Sequence, residues 1–401
     1  MPEPIHVVVV RGHLATPWEL RQWEALPAQR FRVSYLRTAS NQFDEGRLSL
    51  RAVPARTVRD RLPRGRVGEV LTGLAGDRYA DLDALLADAD IVHAEELSFW
   101  FSADAARARR RGGRFALVQT VWETIPFLDA FRNRHARTFR RDVLAHTDLF
   151  LPATERARDG LLLEGVAPDR IEVCPPGIDL ERFGAAASAA APALDHVILS
   201  PGRLVWEKGH QDVLRAVAAL HRGLVRTPAG ERVAPRVMIV GSGPEEARLR
   251  AHADELGIGA VVQIGGVPYD EMPGVFAQAS CMVLASLATA HAQLHLFDRP
   301  RAFWEEQFGL VLAEAMASGL AIVASTSGAI PEVVGDGGRF VAAGDWMAIA
   351  RELAAGPLSR PPGERVGHDP ERLQRYSLPA AGARLAAAYE RVLDAGWSAR
   401  A

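Results

Sequence analysis

The sequence predicts an α/β protein built from two doubly wound domains in tandem. Three observations carry this reading. The chain has 401 residues, more than one hydrophobic core usually serves. Short apolar runs recur in two series, each run separated from the next by a helical pattern, and such alternation reads as parallel strands with crossover helices. Between the two series lies GAAASAAAPALD (184–195), whose small residues cannot fill a core and which therefore reads as a linker.

The first series is IHVVVV (5–10), DIVHA (90–94), FALVQT (115–120) and DLFLP (148–152). Its opening run has no basic flank and no cleavage signal, so it reads as a strand and not as a signal peptide. The second series is HVILSPG (196–202), RVMIVGSG (236–243), AVVQIGG (260–266), CMVLAS (281–286) and LAIVAS (320–325), with amphipathic intervals at 206–223 and 244–256. A Pro/Gly-rich connection (356–370) precedes the last helix, PAAGARLAAAYERVLDAG (379–396). The expected domains are therefore 1–188 and 189–377, followed by a terminal segment, 378–401.

Composition removes several functional classes. Charged residues make up 24% of the chain with a formal net charge of −2, which gives no electrostatic footprint for nucleic acid or a membrane surface. The basic run RARRRGGR (107–114) reads as a solvated helix end, with an anion-binding patch the alternative. Cys174 and Cys281 are the only cysteines, which argues against a disulfide framework and against a structural zinc. No apolar run approaches the roughly 18 residues of a membrane-spanning helix. A cytoplasmic protein is expected.

Ligands of open parallel sheets bind outside the carboxyl ends of the strands, so the loops there are where chemistry is expected. In PGRLVWEKGH, Gly202 lets the backbone turn while Arg203 and Lys208 place two cations at the mouth of a helix expected to begin near Trp206. Helix dipole and cations together favour a diphosphate. Surface cations at a helix start are also common, and Glu207 is an available partner for either one. In IVGSGPEEARLR, Gly241 and Gly243 permit close backbone approach, although no third glycine completes a dinucleotide fingerprint. QIGGVPYDEM offers Val267 and Pro268 as an apolar wall for a flat base. EEQFGLVLAEAMASG sets Glu306 in a loop and Glu314 inside a helix over 309–318 that ends at Gly319. The N–H groups of Gly309 and Leu310 suit an anion between the two carboxylates. Two solvated carboxylates are the alternative, weakened because Glu314 is embedded in LVLAEAMA.

The joint order of VCPPGIDLERF (173–183), SPGRLVWEKG (200–209), IVGSGP (239–244), IGGVPYDEM (264–272) and EEQFGLVLAEAMASGLAIVASTSGAIPEVV (305–334) resembles the retaining glycosyltransferases of family 4, which have the GT-B fold. The resemblance is strong from residue 173 onward and weaker before it. It implies two Rossmann-like domains facing across a cleft, the first for a hydroxyl acceptor and the second for a nucleoside diphosphate sugar, with the last helix crossing back onto the first domain. It implies that Arg203 and Lys208 hold the diphosphate, that Glu314 binds the ribose hydroxyls and that Glu306 faces the transferred sugar, with Phe308, Gly309 and Leu310 beside sugar and phosphates. It requires no metal or other cofactor, and no Asp-x-Asp motif stands in a suitable loop.

The first half departs from the family pattern. Gly12 stands alone where a glycine-rich loop is usual. QTVWETIP (119–126) carries Trp122 and Glu123 where the family often has a His followed by an acid. Glu123 becomes the candidate polar group, with His93 and Glu95 as neighbours, and a core role for His93 stays open. Rival readings are a sugar-nucleotide epimerase or phosphorylase of the same architecture, and a non-catalytic nucleotide-sugar-binding protein. Donor base, sugar and acceptor are not legible; an acceptor that is a lipid would bring the protein to a membrane surface. The segment ATAHAQLHLFDRPRAFW (288–304) reads as a loop that covers the donor or mediates self-association.

Overall fold

The computed structural model describes residues 3–41, 43, 48–63, 65, 67, 68, 71, 72, 76–128, 134–189, 194–288 and 304–395. The chain divides into two compact units, Met1–Gly177 with Leu378–Ala401, and Ile178–Ser377. Among the described residues each unit holds one six-stranded parallel sheet.

In the first unit β1 (Ile5–Val9), β2 (Phe31–Thr38), β3 (Arg51–Ala55), β4 (Ile91–Glu95), β5 (Ala116–Val121) and β6 (Leu149–Pro152) are ordered β3-β2-β1-β4-β5-β6. In the second, β7 (Val197–Pro201), β8 (Arg236–Val240), β9 (Val262–Gly265), β10 (Cys281–Leu284), β11 (Ala321–Ser325) and β12 (Gly338–Val341) are ordered β12-β11-β10-β7-β8-β9. Both sheets are wound alike. The strand order reverses at β1/β4 in one and at β7/β10 in the other, and these reversals are where loops diverge to leave room for a ligand.

Central strands are buried on both faces and consist of β-branched and apolar residues: Val7, Val9, Ile91 and Val118 are fully buried in β1, β4 and β5. The sequence reading passed over β2, β3 and β12. β3 and β12 are edge strands and β2 is interrupted by Arg32, Ser34 and Arg37, so their patterns are mixed. Pro54 lies in β3, where an edge tolerates the missing N–H.

The unit boundary corrects the expectation of residue 188: it falls at Gly177 and Ile178. The helix Leu180–Ser188, capped by Asp179, buries Phe183 edge-on against Phe276 of the second unit, 5.2 Å between ring centres. One aromatic anchor thus outweighs the alanine-rich composition that follows it. Residues 190–193 of the expected linker lie outside the described residues.

The last helix, Leu378–Asp394, belongs to the first unit. Trp23 Nε1 donates to the Tyr389 hydroxyl at 2.8 Å, that hydroxyl lies 2.6 Å from His93 Nδ1, and His93 Nε2 lies 2.7 Å from Thr120 Oγ1. Burial and the nearby Arg11 guanidinium lower the His93 pKa to about 3, so the ring is neutral. With Nε2–H donating to Thr120, Nδ1 accepts from Tyr389. Tyr389→Phe leaves the Trp23 N–H and His93 Nδ1 unpaired in the core, and is expected to cost about 1–3 kcal/mol for each. A denaturant midpoint unchanged from wild type would count against this latch.

Candidate active site

The carboxyl ends of β7 and β10 carry the charged residues. After β7, Gly202 N donates to Val240 O at 2.9 Å and the chain turns through Arg203 into a single 3₁₀ turn, Trp206–Lys208. The α-helix starts only at His210, later than the sequence suggested, because Gly209 at φ 70° breaks the run. A Cβ on Gly209 would sit 1.9 Å from Ala285 O, so this glycine also lets the Lys208 loop lie against the end of β10.

That approach brings Lys208 to Glu306, 98 residues away in sequence. Nζ lies 2.9 Å from Oε1 and 2.6 Å from Oε2, and the ammonium sits 5.0 Å from the centre of the Trp304 ring. Glu306 is buried, and Ser286 Oγ donates to Oε2 at 2.6 Å. Its backbone is fixed on both sides: Glu306 N donates to Ser327 Oγ at 3.0 Å, and its carbonyl accepts from Ala329 N at 2.9 Å. Arg203 is exposed. Its carbonyl accepts from the buried His210 Nε2 at 3.2 Å, while His210 Nδ1 lies 2.8 Å from Ser200 Oγ. Burial lowers the His210 pKa to about 4, so a neutral ring pins this turn.

Glu314 lies on the helix Leu310–Ala317, whose N-cap Gly309 has φ 76°. It is buried and accepts from the Tyr269 hydroxyl at 3.0 Å. Burial raises its pKa to about 7, opposed by that hydrogen bond and by Arg182. Arg182 lies over the Tyr269 ring at 4.9 Å and donates to Tyr269 O at 3.1 Å, so the loop after β9 is tied toward Glu314.

The structure separates the other predicted residues by role. Gly241 and Gly243 are required by the neighbouring turn, since added Cβ atoms would lie 1.9 Å from Gly202 O and 2.4 Å from Leu204 O. Phe308 is buried edge-on against Tyr376, which leaves only its backbone to meet a ligand. Val267 is half-buried in the loop after β9, and Leu310 is half-buried at the helix start. The segment 289–303, most of the predicted loop, lies outside the described residues.

In the first unit Gly12, at φ 56°, packs its Cα side against Phe101 and donates to the Tyr79 hydroxyl at 3.0 Å. His93 is the core residue described above, and Glu95 is buried in an ion pair with Arg11, which also pairs with Glu19. Glu123 is half-buried, and its Oε1 accepts from Ile125 N at 2.8 Å within its own loop. Sequence reasoning missed Glu96. At φ 63° it adopts a backbone conformation unusual outside glycine, and its Oε1 accepts from Trp122 N at 2.8 Å and Glu123 N at 2.9 Å. It also missed Gly209, Tyr269, Ser286 and Ser327, none of which has a local pattern to announce it. No group of three or more His, Cys, Asp or Glu able to hold a metal occurs among the described residues, and no helix there is long and apolar enough to cross a membrane.

Two six-stranded parallel sheets wound in this order make the GT-B fold of glycosyltransferases. The chain belongs to the family 4 glycosyltransferases: residues 186–356 match the family model described as "Glycosyl transferases group 1", and residues 21–182 match "Glycosyltransferase Family 4". It is 29% identical over 287 residues to the GDP-mannose-dependent alpha-(1-6)-phosphatidylinositol monomannoside mannosyltransferase of Mycolicibacterium smegmatis, covering 64% of this chain and 68% of that protein. It is 28% identical over 258 residues to the putative colanic acid biosynthesis glycosyltransferase WcaL of Salmonella typhimurium, covering 62% of this chain and 57% of that protein. Among solved structures, sucrose-phosphate synthase of Thermosynechococcus elongatus superposes with TM-score 0.68 at 20% identity, covering 98% of this chain and all of that one. Anabaena HepE in complex with UDP superposes with TM-score 0.67 at 15% identity, covering 96% of this chain and all of that one. These structural likenesses speak to fold alone.

Proposed function

We propose that the protein transfers a hexose-type sugar from a nucleoside diphosphate sugar to a hydroxyl acceptor, with retention of anomeric configuration. The observation that carries this reading is the pairing of Lys208 with the buried Glu306 beside the ends of β7 and β10, with Arg203 on the same turn as Lys208 and Glu314 set apart on the helix Leu310–Ala317. A relative named for GDP-mannose supports a nucleotide donor.

As the bond from sugar to diphosphate breaks, positive charge grows on the sugar and negative charge on the leaving group. Fixed cations at the diphosphate then stabilise the transition state more than the ground state. Lys208 and Arg203 supply that charge, Glu306 orients Lys208 and faces the sugar, and Glu314 accepts from the ribose hydroxyls. Hydrolysis of the donor is avoided only where water is excluded around the reacting carbon. The reading calls for no cofactor beyond the donor itself.

A panel of UDP-, GDP- and ADP-sugars tested for thermal stabilisation checks this directly. A true donor at 100 times its dissociation constant adds about 2.7 kcal/mol. At least one nucleotide sugar is expected to raise the melting temperature and to be consumed when acceptors are supplied. Stabilisation by none of them overturns the reading, and stabilisation without turnover across an acceptor panel favours a binding protein.

A further inference from the structure

Three serines surround Glu306, and the proposed mechanism so far uses none of them. Ser286, just beyond β10, and Ser325 and Ser327, at and just beyond the end of the neighbouring β11, are fully buried. A buried hydroxyl has to be hydrogen-bonded, so what each one bonds to reveals what it holds. Ser286 Oγ donates to Glu306 Oε2 at 2.6 Å, the same oxygen that lies 2.6 Å from Lys208 Nζ. Ser325 Oγ donates to Ser286 O at 2.5 Å, fixing the backbone of the first serine. Ser327 Oγ donates to Leu287 O at 2.9 Å and accepts from Glu306 N at 3.0 Å, fixing the backbone of the glutamate to the segment that carries Ser286. Gly328 closes the arrangement: a Cβ there would stand 2.1 Å from Glu306 O, so the turn lies directly against the glutamate.

We infer that Ser286 is a positioning residue for glycosyl transfer, acting through Glu306 to aim the Lys208 ammonium at the leaving diphosphate. The inference rests on the function proposed above. Glu306 has two carboxylate oxygens and one cation to share between them. The Ser286 hydroxyl adds a second donor to Oε2, which favours the carboxylate rotation in which both oxygens lie within reach of Nζ. Without that donor the carboxylate turns about its last torsion, which is broad and has no strong preference of its own. The ammonium follows it, and a displaced charge stabilises the transition state less, whereas a flexible lysine still finds a ground-state diphosphate.

The test uses the full chain with the nucleotide sugar that stabilises and is consumed by the wild type. Ser286→Ala is expected to lower kcat by about tenfold or more, the scale of one lost positioning contact. The KM for the donor and the Kd for the free nucleoside diphosphate by calorimetry are expected to stay within about twofold of wild type. Ser286→Thr, which keeps the hydroxyl, is expected to restore most of kcat. Should Ser286→Ala fail to fold, Ser286→Cys carries the same test, because it keeps the volume but offers only a weak donor. An unchanged kcat in Ser286→Ala overturns the inference, and so does an equal loss in kcat and in nucleotide affinity, or a loss that threonine does not rescue. A wild-type chain that neither binds nor consumes any nucleotide sugar overturns the function on which it rests, which keeps the two failures distinct.

Discussion

Lys208→Ala is expected to lower turnover by about 10²–10³-fold, the range seen when one preorganised group facing developing negative charge is removed. Donor binding is expected to weaken by less, since the ground-state diphosphate keeps Arg203 and the helix terminus. The same substitution has a second consequence that the structure makes specific. Glu306 is buried, and Lys208 is its ion-pair partner at 2.6 Å. Removing one member of a buried pair leaves an uncompensated charge and costs about 3–5 kcal/mol. The Ser286 donor offsets part of this.

Adding Glu306→Gln to Lys208→Ala separates the two effects. With neither charge present, the double variant is expected to regain most of the lost stability while turnover stays low. Denaturant midpoints and initial rates on the two single variants and the double variant measure both quantities. Glu306→Gln alone frees the Lys208 ammonium, so it is expected to depress transfer while leaving affinity for the free nucleoside diphosphate undiminished. Unchanged turnover in Lys208→Ala would remove this residue from the reaction.

Glu314→Gln is expected to raise stability and lower nucleotide affinity, and both changes depend on pH. Burial lifts this carboxyl from an ordinary 4.5 to about 7, with Tyr269 and Arg182 pulling the other way. An acid raised in this manner favours the fold while it is protonated. Its stabilising contribution is complete below pH 4.5 and is lost as pH rises through about 7. At pH 8 the fold therefore carries a buried carboxylate at a cost of about 3 kcal/mol, on the scale of 1.36 kcal/mol per unit. Glutamine removes the charge and keeps an acceptor for the Tyr269 hydroxyl. The variant should melt above wild type at pH 8, and the difference should vanish near pH 4.

Nucleotide affinity should move in the opposite direction. Ribose hydroxyls donating to an ionised carboxylate gain roughly 1.5–3 kcal/mol, so Glu314→Gln is expected to bind nucleoside diphosphate about 10- to 100-fold more weakly at pH 8. Wild-type affinity should rise as pH passes through 7, and that of the variant should not. Calorimetry across this range tests it. A variant that binds as tightly as wild type, with a melting gain, would make Glu314 a residue of the core and not of the ribose site.

Local sequence determined those features that depend on near neighbours. Continuous apolar runs such as IHVVVV marked the central strands, because a parallel strand buried on both faces has no polar side to show. The helix after Gly309, and the placing of Glu306 before it and Glu314 within it, followed from helix propensity and from a glycine at each end. The candidate diphosphate cations were legible as residues of a loop after a strand.

Tertiary structure decided what those residues touch. Edge strands β3 and β12 escaped notice because half-exposed segments carry mixed patterns. The unit boundary moved to Gly177 because Phe183, one residue in an alanine-rich helix, finds Phe276. His93 became a core residue only once the last helix brought Tyr389 across 296 positions of sequence to meet it. Glu123 read as the candidate polar group beside His93 and Glu95, but its carboxylate accepts from Ile125 N within its own loop, and Glu96 holds that loop from beyond another strand. The pairing of Lys208 with Glu306, and the serines that hold Glu306, could not be read from periodicity at all. Periodicity reports which face of an element is buried, whereas contact between distant loops is set by strand order, which here lays β10 beside β7 and lets Gly209 close the gap between them.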